Sequence, residues 1–192
     1  MKETEPRAAL LVVDVQNDFC PGGALSVPDG DKVIPVLNRV IERFRAEGLP
    51  IYASRDWHPP DTRHFKPHGG PWPVHCVAGT EGAAFHPDLR LPQDVTVVSK
   101  GQDRNDDGYS AFEATTADGR TLANELRRRG VTNLYVGGLT TDYCVRATAL
   151  DARAAGFRVT VLADGIAGID AEDSRRALEE IRTAGGAIER AA

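Results

Sequence analysis

The amino-acid sequence predicts an α/β fold: a three-layer, open and mostly parallel six-stranded sheet with helices on both faces. Short aliphatic runs alternate along the chain with segments whose apolar residues recur at helical spacing. This alternation is typical of parallel strands that are connected by helical crossovers. The 192 residues suit one sizeable hydrophobic core, so we expect residues 1–192 to form a single domain.

The individual elements follow in chain order. Residues 8–15 are nearly all aliphatic, as expected of a strand that is buried on both faces. Residues 31–47 place their apolar side chains on one helical face, and the glycine that follows ends the helix. Residues 51–54 and 95–99 are predicted strands. The rest of the chain continues in the same way, with predicted helices at 121–129, 142–155 and 171–183 and predicted strands at 131–136, 157–163 and 187–189.

Composition argues against several classes of partner. The net charge is -5, which argues against nucleic acid and anionic membranes, and no apolar run approaches the roughly 18 residues of a membrane span. The three cysteines form no CxxC pair, which fits a reduced environment. Residues 1–7 lack the apolar segment of a secretory signal. We therefore expect a cytoplasmic protein, and assembly as a homo-oligomer stays open.

Chemically active side chains fall at or just after the predicted strand ends. Because the carboxyl ends of parallel strands meet at one edge of a sheet, where ligands bind, we expect these side chains to converge. Two long segments, roughly 57–94 and 101–120, interrupt the alternation, and loops of this length are usually functional. The strand-end residues are Asp14, Asp56, Lys100 and Cys144.

Cys144 is the candidate nucleophile. It falls near the first turn of a predicted helix, where free N–H groups and the helix dipole favour a thiolate and can hold an oxyanion. Asp14 is the candidate base, since burial at a strand end raises the pKa of a carboxyl group, and Lys100 would offset its charge. The alternatives are a structural buried cysteine, a turn cap at Asp14 and a solvated lysine.

A second group of residues combines one carboxylate with several imidazoles. Such ligands suit one divalent transition metal such as zinc, iron or manganese. His68 and His86 lie in the same region and compete for the same role, and surface histidines without a metal are the alternative. The predicted ligands are Asp56, His58, His64 and His75.

Apolar and aromatic residues in loops near the same edge would suit the walls of a flat aromatic ligand. Packing within the loops is the alternative role for these side chains. The residues are Phe19, Leu25, Trp72 and Tyr109.

Five segments together resemble the nicotinamidases of the isochorismatase-like cysteine hydrolase superfamily. Their order and spacing agree from about residue 10 to residue 184. The resemblance implies a Rossmann-like fold and the hydrolysis of a small-molecule substrate, nicotinamide, to nicotinate and ammonia through a thioester. The segments are VVDVQNDF at 12–19, RDWHP at 55–59, WPVHC at 72–76, Lys100-Gly101 with YSAF at 109–112, and GLTTDYCV at 138–145.

The resemblance also implies roles by position. Asp14 is the general base and acid, Lys100 supports it, and Cys144 is the nucleophile. A cis peptide bond between Leu139 and Thr140 directs the N–H groups of Thr140 and Cys144 at the oxyanion. Many members of the family carry alanine where this chain has Thr140.

For the ligands, the resemblance implies a metal that holds the pyridine nitrogen directly or through water, with zinc expected before iron or manganese. Asp56, His58 and His75 bind this metal, with His64 a fourth ligand in some members. Phe19 and Trp72 sandwich the ring. Two other functions stay open: an amidase of the superfamily that acts on a carbamoyl or ureido substrate, whose relatives typically lack the Asp-x-His element, and a non-catalytic metal-binding or redox-sensing protein.

Overall fold

The computed structural model describes residues 7–191. The strands are β1 (Arg7–Val13), β2 (Ile51–Asp56), β3 (Thr96–Lys100), β4 (Val131–Leu139), β5 (Arg158–Ala167) and β6 (Ala187–Glu189). They form one sheet in the order β3-β2-β1-β4-β5-β6, and every neighbouring pair is parallel. The prediction of an open, six-stranded parallel sheet is confirmed.

Helices cover both faces of this sheet. They are α1 (Val33–Ala46), α2 (Leu122–Arg128), α3 (Arg146–Ala154) and α4 (Ala171–Thr183). Apolar residues of α1 pack into one buried cluster, and those of α2, α3 and α4 pack into the cluster on the opposite face. Within residues 7–191, no helix is both long enough and apolar enough to cross a membrane.

The first strand shows why its sequence is almost continuously aliphatic. Leu10 and Val12 pack into the cluster that contains α1, whereas Ala9, Leu11 and Val13 pack into the other cluster. All five side chains are fully buried. Since successive side chains of a strand point to opposite faces, a central strand covered on both sides has no solvent-facing position for a polar residue.

Strand β4 extends further than the sequence predicted. It was expected to end at residue 136, before two glycines, but it continues through them to Leu139. Gly137 and Gly138 pair with Val12 and Val13 of β1. A Cβ atom on Gly138 would lie 2.0 Å from the carbonyl oxygen of Val13, so the glycines allow a close approach of two backbones and do not form a turn.

The helix that was predicted at 142–155 differs at its start. One π-helical turn, Thr141–Val145, precedes the α-helical part of α3. Strand β5 continues to Ala167 instead of ending at residue 163, with a register shift opposite Gly138 of β4. The predictions of a helix at Ala171–Thr183 and a strand at Ala187–Glu189 are confirmed to the residue.

Candidate active site

The candidate active site lies at the carboxyl ends of the four strands β1 to β4. Asp14 directly follows β1, Asp56 and Lys100 are the last residues of β2 and β3, and Cys144 lies in the π-helical turn after β4. β1 and β4 are neighbours in the sheet, and the strand order reverses between them. Ligands of open α/β sheets bind at such a switch point.

Asp14 is held in an unusual backbone conformation. Its φ angle is 48°, in the left-handed region that residues other than glycine seldom adopt. The hydroxyl of Ser54 donates to Asp14 Oδ1 at 2.7 Å, and the ammonium group of Lys100 lies 2.7 Å from Oδ2. Burial raises the pKa of Asp14 from 3.8 to about 6, with the charge of Lys100 opposing the rise.

Lys100 is 1% exposed and lies at the centre of the site. Its Nζ donates to Asp56 Oδ1 and, at 2.6 Å, to the carbonyl oxygen of Gly108, and it lies 3.5 Å from Cys144 Sγ. Burial lowers the pKa of Lys100, but the charges of Asp14 and Asp56 outweigh burial and raise the pKa well above its ordinary value. The space between Asp14, Asp56 and Cys144 is thus occupied by an ammonium group that would repel a metal ion there, whereas Oδ2 of Asp56 faces the histidines.

The surroundings of Cys144 favour the thiol over the thiolate. Burial raises its pKa well above the ordinary value, with Lys100 opposing the rise and Asp14 adding to it. The direction of this shift is opposite to the one expected from the helix start. Cys144 lies in a π-helical turn ahead of α3, and two carboxylates lie within the same buried group as its sulfur.

The predicted metal ligands converge beside this group. One nitrogen from each of His58, His64 and His75 lies within 4.8 Å of the others, and all three residues are buried. Asp56 Oδ2 lies 3.5 Å from His58 Nε2 and 3.8 Å from His75 Nε2. Burial raises the pKa of Asp56, but the charge of Lys100 and the neighbouring His58 outweigh it and hold the pKa below its usual range.

Hydrogen bonds to the backbone orient two of the three imidazole rings. His58 Nδ1 donates to the carbonyl oxygen of Gly101 at 3.1 Å and His75 Nδ1 to that of Pro73 at 2.8 Å, which leaves Nε2 of each ring as a free lone pair. His58 Nε2 and His64 Nδ1 have no hydrogen-bond partner in the described part of the chain. Burial, together with the neighbouring histidines, lowers the pKa of His64 to about 4.

This donor set fits a divalent transition metal. Neutral imidazoles and an ionised carboxylate are the ligands that such metals take, and the orphaned buried nitrogens need a partner. The two competing histidines lie elsewhere. His68 is exposed, and His86 Nδ1 accepts a hydrogen bond from the backbone N–H of Asp88 at 3.2 Å.

A pocket opens between the metal-ligand candidates and Cys144. All four predicted wall residues, Phe19, Leu25, Trp72 and Tyr109, line it, together with Thr140, Asp56, His64 and His75. The indole Nε1 of Trp72 donates to the hydroxyl of Tyr109 at 2.9 Å, which fixes one wall. The peptide bond between Leu139 and Thr140 is cis, as the resemblance implied.

Three further residues line the pocket but were not predicted: Asp107, Tyr143 and Ile169. Tyr143 directly precedes Cys144 in the same turn, so the position of Cys144 could have predicted Tyr143 as a pocket residue. Ile169 arrives from beyond β5, because the carboxylate of Asp142 accepts hydrogen bonds from the N–H groups of Ile169 and Asp170 at 3.0 and 2.9 Å. Such a long-range tie leaves no local pattern in the sequence.

Gln16 was also missed as a residue that supports the site. Its Oε1 accepts from the backbone N–H of Asp56 at 2.8 Å, and its Nε2 donates to the carbonyl oxygens of Asp56 and Ala83, both at 2.9 Å. The side chain is fully buried. Gln16 therefore holds the backbone of a metal-ligand candidate from both sides.

A model of the isochorismatase domain matches residues 8–192. The chain belongs to the isochorismatase family. Its resemblance to the nicotinamidases of this family, inferred above from five segments, is confirmed by the relatives that it matches over most of its length.

Three of these relatives locate the chain within the isochorismatase family. It is 43% identical to the nicotinamidase/pyrazinamidase of Mycobacterium tuberculosis, and the match covers 92% of this chain and 95% of that protein. It is similar to the structure of the pyrazinamidase of Pyrococcus horikoshii in complex with zinc, with a TM-score of 0.90, 49% identity and coverage of 96% and 99%. It is also similar to PnC1 of L. infantum in complex with nicotinate, with a TM-score of 0.87, 36% identity and coverage of 97% and 94%.

Proposed function

We propose that this chain is a metal-containing cysteine amidohydrolase that converts nicotinamide to nicotinate and ammonia through a thioester. One observation carries the proposal: a buried Asp14, Lys100 and Cys144 group and a cluster of metal-ligand candidates border the same aromatic-walled pocket. The 43% identical nicotinamidase/pyrazinamidase, the related pyrazinamidase structure with zinc and the related PnC1 structure with nicotinate support the same substrate class.

The first step is proton transfer from Cys144 to Asp14. A carboxyl group with a pKa of about 6 is ionised at neutral pH and still basic enough to act as a general base. The thiolate sulfur then attacks the carboxamide carbon and forms the C–S bond. Lys100 contacts both the proton donor and the acceptor, so a fixed ammonium group faces the negative charge before and after the transfer.

The tetrahedral intermediate carries its negative charge on the former carbonyl oxygen. The backbone N–H groups of Thr140 and Cys144 are the proposed donors to it, and the loss of one such donor typically costs about 3 kcal/mol. Asp14 then gives its proton to the amide nitrogen, the C–N bond breaks, and ammonia leaves. Water attacks the resulting thioester while Asp14 takes its proton, the C–S bond breaks, and Asp14 returns the proton to the sulfur.

The remaining residues bind and orient the substrate. A metal ion held beside the pocket would supply a Lewis acid for the ring nitrogen, directly or through water. The residues proposed to hold it are Asp56, His58, His64 and His75. The ring lies between Phe19 and Trp72, and Leu25 and Tyr109 complete the walls of the pocket.

The two alternative functions, an amidase for a carbamoyl or ureido substrate and a redox sensor, would leave part of this arrangement without a role. A carbamoyl or ureido substrate has no aromatic nitrogen to use the histidine cluster. A redox sensor that relies on Cys144 alone does not need Asp14 and Lys100 against the thiol. Nicotinamide hydrolysis uses every one of these groups, so we favour it.

The decisive test is ammonia release from nicotinamide by the wild-type protein and by Cys144→Ala, with the metal content measured in both. We expect release by the wild type alone and equal metal in both proteins. Cys20→Ala is the matched control, because Cys20 is also a buried cysteine but does not line the pocket. Turnover by Cys144→Ala would contradict covalent catalysis, and no release by metal-loaded wild type would contradict nicotinamide as the substrate.

A further inference from the structure

Thr140 carries a hydroxyl group that the mechanism above does not use. The residue lines the pocket beside Cys144 and is 2% exposed. Its Oγ1 is buried and makes no hydrogen bond to any residue between 7 and 191. Since a buried hydroxyl without a partner is destabilising, this atom is expected to find its partner in the molecule that fills the pocket.

The position of Asp14 indicates which atom of the substrate would be the hydrogen-bond partner of the Thr140 hydroxyl. Asp14 hands its proton to the amide nitrogen, so the nitrogen has to face this carboxyl group. The three substituents of a carboxamide carbon point in different directions, so the carbonyl oxygen faces away from Asp14. The donors proposed above for that oxygen are the backbone N–H groups of Thr140 and Cys144, which both line the pocket, and the unpartnered hydroxyl belongs to one of these two residues.

We propose that the Thr140 hydroxyl donates a third hydrogen bond to the oxyanion, in addition to the two backbone donors. The inference rests on the proposed function, because it needs a substrate with a carbonyl group at Cys144. Hydrogen bonds to a charged oxygen are roughly twice as strong as those to a neutral one. The hydroxyl therefore stabilises the tetrahedral state more than the bound substrate, which makes Thr140 a catalytic residue whose loss lowers kcat and leaves KM nearly unchanged.

The test compares Thr140→Val with Thr140→Ser. Valine replaces the hydroxyl with a methyl group of similar size, whereas serine keeps the hydroxyl. With nicotinamide as substrate and equal metal content, we expect kcat of Thr140→Val to fall roughly 10- to 100-fold with KM within about threefold of wild type. Thr140→Ser should keep most of the wild-type kcat. An unchanged kcat in Thr140→Val, or an equal loss in both variants, would overturn the inference.

A second probe identifies the substrate atom. Pyridine-3-carbaldehyde adds to Cys144 as a tetrahedral hemithioacetal: the C–S bond forms, the C=O π bond breaks, the thiol proton passes to Asp14, and the former aldehyde oxygen carries the negative charge. This adduct keeps the oxygen but has no amide nitrogen. We expect the inhibition constant of the aldehyde to rise in Thr140→Val by about the factor by which kcat falls. If Thr140→Val lowered kcat for nicotinamide but left the inhibition constant of the aldehyde unchanged, the hydroxyl would be assigned to the amide nitrogen and the inference would be overturned.

A wild type that releases no ammonia would contradict the proposed function itself, whereas an active wild type with an unchanged kcat in Thr140→Val would contradict this inference alone.

Discussion

The ammonium nitrogen of Lys100 lies 3.5 Å from the sulfur of Cys144, and both residues are buried. The same nitrogen lies 2.7 Å from the carboxylate of Asp14. In a site where burial raises the pKa of the thiol, a thiolate forms only if a nearby positive charge compensates for the lost hydration. Lys100 is in position to provide this charge, because it contacts both Asp14, the proposed base, and Cys144, the proposed nucleophile.

Replacing Lys100 with methionine should therefore suppress the reaction and change its pH dependence. The charge of Lys100 lowers the pKa of Asp14 against the effect of burial, so its removal raises that pKa and moves the acid limb of the kcat/KM profile to higher pH. We expect kcat/KM at pH 7 to fall by at least about 100-fold, as for loss of a general acid–base group. The measurement is the pH profile of ammonia release.

Lys32→Met is the control for this change, because its ammonium group is exposed and pairs with an exposed carboxylate, Asp29. Circular dichroism of both variants verifies that the fold is intact. A folded Lys100→Met protein with a wild-type pH profile would contradict the role given to the ammonium group.

The pKa of Asp14 predicts where activity is lost in acid. The general base has to be ionised, and burial raises the pKa of this carboxyl group from 3.8 to about 6. As the pH falls through about 6, Asp14 becomes protonated, and kcat/KM should drop about tenfold per pH unit below that point. Above it the profile should be level until another group titrates. An acid limb near pH 4, the ordinary range of a carboxyl group, would contradict this assignment, and Asp14→Asn should lose roughly 10²- to 10⁴-fold in kcat at any pH.

Removing one imidazole from the cluster should release the metal. His75→Ala deletes a buried ligand candidate, and we expect metal content close to zero and activity at the level of the chelator-treated wild type. The melting temperature should also fall, because a metal at 100 times its dissociation constant stabilises a fold by about 2.7 kcal/mol. Metal analysis and thermal unfolding measure both effects.

His68→Ala is the matched control for the metal experiment, because His68 comes from the same long loop but is exposed. It should keep the metal, the activity and the melting temperature. Retention of a full equivalent of metal in His75→Ala would show that the cluster is not the binding site.

Much of the fold was predictable because it follows from local periodicity. The helix Ala171–Thr183 and the strand Ala187–Glu189 have the predicted bounds. The end of β4 was predicted wrongly, since a glycine pair indicates a turn unless another backbone lies against it. That backbone belongs to Val12 and Val13, which are far away in sequence and invisible to a local pattern.

The site was predictable to the extent that its residues sit at strand ends. Asp14, Asp56, Lys100 and Cys144 converge because parallel strands end at one edge. The direction in which the pKa of the Cys144 thiol shifts was not predictable, because this pKa depends on burial and on two carboxylates that follow or end other strands. Ile169 was not predicted for the same reason, since a hydrogen bond from its N–H to the carboxylate of the distant Asp142 holds it at the pocket.

The close contact of β1 and β4 predicts a large effect of a small substitution. Gly138 has a φ angle of 127°, and a Cβ atom there would lie 2.0 Å from the Val13 carbonyl oxygen. Gly138→Ala should lower the free energy of unfolding by more than about 4 kcal/mol, the range that marks a severe clash. In Gly48→Ala, where φ is 65° and the added atom meets no neighbour, only the left-handed backbone is penalised, by about 1–2 kcal/mol. Equal losses in urea unfolding would contradict the role of this contact.

The last prediction concerns Gln16, which holds the metal-ligand candidate Asp56 without contacting the pocket. Its side chain makes hydrogen bonds of 2.8 and 2.9 Å to the N–H and the carbonyl oxygen of Asp56. Gln16→Leu keeps the volume but removes both bonds, so the carboxylate is no longer fixed toward the histidines. Loss of an outer hydrogen bond to a metal ligand typically lowers metal affinity by about 10- to 100-fold. We expect that factor in a chelator competition titration, with the Cys144 thiol still reactive toward an alkylating reagent. Gln93→Leu, at an exposed position, should bind metal like the wild type, and a Gln16→Leu protein with wild-type metal affinity would show that Asp56 is positioned by its own strand alone.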